Sequence, residues 1–137
     1  MLPMIHRVRT AGDFARTVRS GARSGRRNVV LYAFRTSASD PSRVGFIVGK
    51  GVGNAVVRNL VKRRLRHASA EWVAVHPSGF DVVVRALPAA ADADWPTLHR
   101  DFSGGVAAVL RRLERSDPPG REPMHGEGRS EYREDGR

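Results

Sequence analysis

The stretch Gly49-Lys50-Gly51-Val52-Gly53-Asn54-Ala55-Val56-Val57-Arg58-Asn59-Leu60-Val61-Lys62-Arg63-Arg64-Leu65-Arg66 decides the fold of this 137-residue chain. Three glycines in five residues break any preceding strand, and Asn54 is a good helix N-cap because its side chain can accept from an amide of the first turn. From there to about Val73 the apolar residues recur at helical spacing. Val57, Val61, Leu65, Ala68 and Trp72 make one stripe, and Arg58, Asn59, Lys62, Arg63 and Arg66 cover the opposite side. A long, strongly basic amphipathic helix therefore sits mid-chain, and the other elements must supply the surface that buries its stripe.

Working outward, Thr10-Ala11-Gly12-Asp13 resembles a capping box, and Ala11, Phe14, Ala15 and Val18 continue at helical spacing until Gly21. This predicts a first helix over residues 11–19. Residues 28–35 alternate Val29, Leu31 and Ala33 with Val30, Tyr32 and Phe34, a strand apolar on both faces. Asp40-Pro41 marks a turn before a second strand, residues 43–48, and the two are expected to pair as a hairpin. A short strand near residues 23–26 precedes them. Phe80–Ala86 is another strand, residues 88–94 a linker, and Pro96 opens a last helix whose Leu98, Phe102, Val106, Val109, Leu110 and Leu113 face the core. Gly104 and Gly105 each weaken that helix by about 1 kcal/mol. The order is αβββαβα, an α+β class, with no internal repeat.

Charge narrows the partner. The chain holds 24 Lys and Arg against 14 Asp and Glu, a net charge of +10. Residues 1–113 carry 19 cations and 7 acids, whereas residues 114–137 carry 5 and 7. The body alone is positive. The segment 114–137, rich in Gly and Pro and without periodic apolar residues, is expected to be a disordered tail. Between Asp40 and Glu71 there is no acid at all, while seven cations fall inside. Arg58, Lys62 and Arg66 stack at i, i+4, where like charges repel, so an unrelieved run of this kind implies an anion that neutralises it. RNA and DNA both fit that requirement. A DNA module reading a major groove with this helix lacks a helix-turn-helix partner upstream.

Enzyme chemistry in the chain itself finds no support. There is no cysteine, so disulfides, thiol nucleophiles and Cys-based zinc sites are excluded, and a reducing cytoplasmic setting is expected. No signal peptide and no apolar run long enough to span a bilayer is found, so no membrane partner is expected. The glycine loop fits neither G-x-G-x-x-G nor the Walker pattern. It remains either a structural turn or a loop presenting Lys50 to one phosphate. The five histidines show no metal-ligand spacing. Asp92 and Asp94 are better read as a linker acid and a helix-cap acid than as a catalytic pair. Phe14, Val18, Tyr32 and Phe34 fit either a core or a stacking platform for single-stranded nucleic acid, and their pattern does not choose between the two.

Taken together, Arg7-Val8-Arg9, Asp13-Phe14, Gly21, Val30-Leu31-Tyr32, Arg43-Val44-Gly45-Phe46, Val52-Gly53-Asn54-Ala55-Val56-Val57-Arg58-Asn59, Lys62-Arg63-Arg64-Leu65-Arg66 and Asp81-Val82-Val83-Val84-Arg85-Ala86 resemble one family over residues 6–113. It is the protein component of bacterial ribonuclease P. The resemblance implies an accessory subunit of a tRNA-processing endoribonuclease whose RNA subunit is the catalyst and holds the magnesium, with no cofactor on the protein. It implies an α/β sandwich of ribosomal-protein-like type, with a mixed four-stranded sheet and a left-handed βαβ crossover through the basic helix. It also implies two binding regions. Arg58, Asn59, Lys62, Arg63 and Arg66 would lie against the catalytic RNA, with Lys50 and Arg64 adding charge. Phe14, Val18, Val30 and Tyr32 would line a cleft for the 5′ leader of precursor tRNA. Leu60 and Gly51 stand where the family often has further basic residues, and Val18 where it often has an aromatic one. The competing expectation is a structural RNA-binding protein of ribosomal type without a cleft, in which Phe14 and Tyr32 would be buried core.

Overall fold

The computed structural model describes residues 2–116. Its helices are α1 (Ala11–Ser20), α2 (Ala55–Val75) and α3 (Trp95–Ser116), and its strands are β1 (Ala22–Gly25), β2 (Val29–Arg35), β3 (Arg43–Ile47) and β4 (Phe80–Ala86). Short 3-10 turns occupy Met4–His6 and Pro88–Asp92, the second of them inside the expected linker. The helix caps are the ones the sequence announces. Thr10 Oγ1 accepts from Asp13 N at 3.1 Å, Asn54 Oδ1 from Val57 N at 3.0 Å, and Asp94 Oδ1 from Thr97 N at 2.9 Å. Asp94 as N-cap places Trp95, not Pro96, first in α3.

The four strands form one mixed sheet in the order β1-β2-β4-β3, with β1–β2 and β2–β4 antiparallel and β3–β4 parallel. The expected hairpin between residues 28–35 and 43–48 is therefore not present. β4 lies between those strands, and the true hairpin is β1–β2, closed where Arg26 N donates to Val29 O at 2.8 Å. Composition explains the order. The two apolar strands, β2 and β4 with its fully buried Val82, Val83 and Val84, take the centre, and the more polar β1 and β3 take the edges.

Alternation along the strands makes two cores. Val29, Leu31, Ala33, Val44, Val82 and Val84 meet α2 and α3 through Val61, Leu65, Trp72, Leu98, Phe102 and Val106. On the other face Val30, Tyr32 and Val83 are covered, among the described helices, by α1, with Phe14, Val18, Ile47 and Leu87 partly buried around them. Gly105 brings α3 down onto β2, since a Cβ there would meet Leu31 Cγ at 2.9 Å. The residue that weakens the helix in isolation is the one that lets it pack.

The crossover hand follows from Val44. Its side chain faces α2, yet its carbonyl accepts from Val8 N at 3.1 Å on the outer edge of β3. For an L-residue this sets β4 to the left of β3 when the sheet is viewed from α2 with both strands pointing up. The β3-α2-β4 connection is left-handed, against a preference of about 98% for the other hand. At the C-terminus α3 continues through residues 114–116, so the expected tail boundary moves, and residues 117–137 lie outside the described residues.

Candidate nucleic-acid interface

α2 presents its basic flank away from α3 and over the edge of β3. Arg58, Lys62 and Arg66 are half-buried by their stems, and Asn59 and Arg63 are exposed. Arg58 Nε donates to Gly53 O at 3.1 Å, which fixes the start of the flank against the glycine loop. Lys50 is exposed on that loop, whose turns close through Val52 N to Gly49 O at 3.1 Å and Gly53 N to Lys50 O at 3.2 Å. Among the described residues no acid pairs with Lys50, Arg58, Lys62, Arg63 or Arg66. Arg64 is set apart from them. It points to the opposite flank, where Nη1 donates to Ala93 O at 2.9 Å.

The other expected region lies under α1. Val30 and Tyr32 are closed off, at 6% and 2% exposure, whereas Phe14 and Val18 on α1 remain half-exposed. The four come together as floor and wall: the strand residues are the floor, and the helix residues form the side that solvent reaches. Phe14 lies on the backbone of β3, where a Cβ on Gly45 would meet its Cε1 at 2.6 Å. Only glycine there allows the ring to seat. The two expected regions meet at this point, because Lys62 and Arg66 line one depression with Phe14, Gly45, Val8 and Arg7.

An ionic cluster that sequence reasoning missed holds α1 to the sheet. Arg43 Nε and Nη2 reach Asp81 Oδ1 and Oδ2 at 2.9 and 2.8 Å, and Arg16 Nη2 reaches Asp81 Oδ2 at 3.2 Å. Asp13 bridges the two arginines, at 2.9 Å from Arg16 and 3.2 Å from Arg43. The hydroxyl of Thr10, with Arg43 and Arg16 behind it, holds the Asp13 carboxyl below its usual range. The Asp81 carboxylate, bonded to Arg43, raises that guanidinium well above its ordinary value. Arg16 also lies 5.1 Å above the Phe34 ring centroid. The Asp13–Arg16 spacing of i, i+3 was the available signal. The partners Arg43 and Asp81 meet only once β3 and β4 pair.

The sequence and fold that carry these residues are also found in known proteins. A model of the family described as Ribonuclease P matches residues 2–110. The chain belongs to this family. The ribonuclease P protein component of Kocuria rhizophila is 61% identical over 112 residues, covering 82% of this chain and 98% of its own. Solved ribonuclease P proteins share the fold at lower identity. That of Staphylococcus aureus superposes with a TM-score of 0.64 at 28% identity, covering 80% of this chain and 95% of its own. That of Thermotoga maritima gives 0.64 at 26% identity, covering 77% and 96%.

As a member, the chain is a protein subunit of ribonuclease P, the tRNA-processing endoribonuclease that catalyses through its RNA. This sets aside the ribosomal-type alternative. Tyr32 is buried as that alternative required, but Phe14 is not. Among the described residues no helix is long and apolar enough to cross a membrane.

Proposed function

We propose that the α2 flank of Arg58, Asn59, Lys62, Arg63 and Arg66, with Lys50 of the preceding loop, binds the catalytic RNA and that the groove of Phe14, Val18, Val30 and Tyr32 takes the single-stranded 5′ leader of precursor tRNA. The observation carrying this reading is the shared depression, in which Lys62 and Arg66 stand beside Phe14 and Gly45. A chain crossing from the groove to α2 passes from an apolar floor to a cationic wall without leaving the surface. Arg64, bonded to Ala93 on the far flank, is outside this interface.

The protein then acts by charge and position. Its unpaired cations lower the repulsion between two RNAs as they approach. The groove engages precursor and has nothing to engage in product, which has no leader, so it discriminates between the two. Magnesium is assigned to the RNA subunit on the strength of the family resemblance, with the protein contributing charge and position.

The test is cleavage of precursor tRNA by a bacterial ribonuclease P RNA at low magnesium, with and without the protein, using long and one-nucleotide leaders. Stimulation that grows with leader length is expected. Equal stimulation of both substrates removes the groove from the reaction.

A further inference from the structure

Beyond α1 the groove floor continues by one more row of residues, and that row contains an arginine. Arg85 pairs with Val30 of β2 on one side and Ile47 of β3 on the other, so its side chain shares their face of the sheet. Val83 of β4 and Leu87 just past its end, two residues to either side, belong to the apolar floor cluster. An arginine is thus carried on the row next to the apolar floor, on a face whose edge strand also holds Arg23 opposite Tyr32.

Its bonding is incomplete. Arg85 Nε is buried and has no hydrogen-bond partner, and among the described residues no carboxylate pairs with the group. Asp81, the acid on the same face of β4, is already held by Arg43 and Arg16 at the far end of the strand. A buried donor without a partner is costly, and the partner that completes the Arg85 Nε must come from solvent or from a ligand. Covering the floor with the arginine stem would account for the methylenes but not for the orphaned Nε.

We infer that Arg85 is a phosphate contact of the leader groove, its planar fork binding one phosphodiester of the single-stranded leader while Phe14 and Val18 flank the neighbouring nucleotide. This rests on the groove reading above and adds to it a residue and a chemistry. The fork geometry suits a phosphate because two N–H groups reach two oxygens together, which lysine does not do. A polyanion suits the site because Phe14, which borders the floor, also borders the depression lined by Arg7, Lys62 and Arg66.

The experiment uses holoenzyme reconstituted with Arg85→Met, which keeps an apolar stem, with Arg85→Lys, and with Phe14→Ala. Affinity is measured for precursor tRNA, for mature tRNA, and for precursors in which one leader phosphate at a time is a neutral methylphosphonate. Arg85→Met is expected to weaken precursor binding about tenfold and leave mature tRNA alone, in line with the loss of a charge-assisted bond. Arg85→Lys is expected to recover part of that loss. One methylphosphonate position should cost the wild type and cost Arg85→Met nothing. Wild-type precursor affinity in Arg85→Met, with Phe14→Ala still weakening precursor binding and sparing mature tRNA, overturns the assignment and leaves the groove standing. Equal losses for precursor and mature tRNA overturn it in favour of a purely structural arginine. If Phe14→Ala also leaves the precursor-to-mature ratio unchanged, the groove reading itself fails.

Discussion

Asp81 shows how one side chain can set a binding surface from beneath it. It is fully buried and lies under α1, where the bidentate Arg43 and the single bond from Arg16 offset the cost of removing its charge from water. Asp81→Asn leaves two arginines facing a neutral amide, and the expected loss is about 3 kcal/mol, read from denaturant unfolding. Asp13 adds a pH dependence. Its carboxyl titrates below its ordinary value of 3.8 in the folded protein, so its contribution is full above that pH and fades as pH falls through the lower folded value. Amide exchange in α1, corrected for the intrinsic rate, should therefore accelerate below about pH 4, and Asp13→Asn should remove the dependence. At this scale the sequence is informative about types and silent about pairs. Thr10, Asn54 and Asp94 are readable as caps because capping is local. Arg43 and Asp81 are 38 residues apart, and nothing in either neighbourhood names the other.

Among the elements, α2 is the most legible, because 21 residues of uninterrupted period leave no second interpretation. The same wheel separates Arg64 from Arg58, Lys62 and Arg66, although a bare count of cations groups them. This gives a contrast within one helix. Replacing Arg58, Lys62 and Arg66 with alanine should weaken holoenzyme assembly and reduce the slope of log K against log salt by about 2 to 3, at roughly 0.7–0.9 for each phosphate no longer neutralised. Arg64→Ala should leave the slope unchanged and cost only the bond to Ala93, visible as a small drop in stability. A slope equally affected by both would return Arg64 to the interface. The strands are legible one by one, but their neighbours are not. Pairing β2 with β3 follows sequence proximity, whereas burial ranks β2 and β4 as the two most apolar strands and brings them together at the centre. Register between strands about 50 residues apart is a tertiary fact, and single-strand patterns do not carry it.

The left-handed crossover is what lets one small molecule have both surfaces. With the strand order fixed at β1-β2-β4-β3, the hand of the β3-α2-β4 connection decides which face of the sheet α2 covers. Left-handed, α2 joins α3 and leaves Val30, Tyr32 and Val83 to the single short helix α1. Right-handed, α2 would lie on those three residues and close the groove. The hand also turns the basic flank outward over the edge of β3, next to Phe14. Two binding tasks are thereby divided by their physics, one by charge and one mainly by apolar contact, and salt should separate them. Raising salt from about 50 to 200 mM should weaken assembly with the catalytic RNA by about 10²-fold, since roughly four or five phosphate contacts each respond to the fourfold change. The ratio of precursor to mature tRNA affinity, measured on assembled holoenzyme, should fall by no more than about tenfold, because the contacts unique to precursor are Phe14, Val18 and at most one or two cations. A ratio that collapses in parallel with assembly would mean that the leader is held by the α2 flank, leaving the groove as a packing surface for α1.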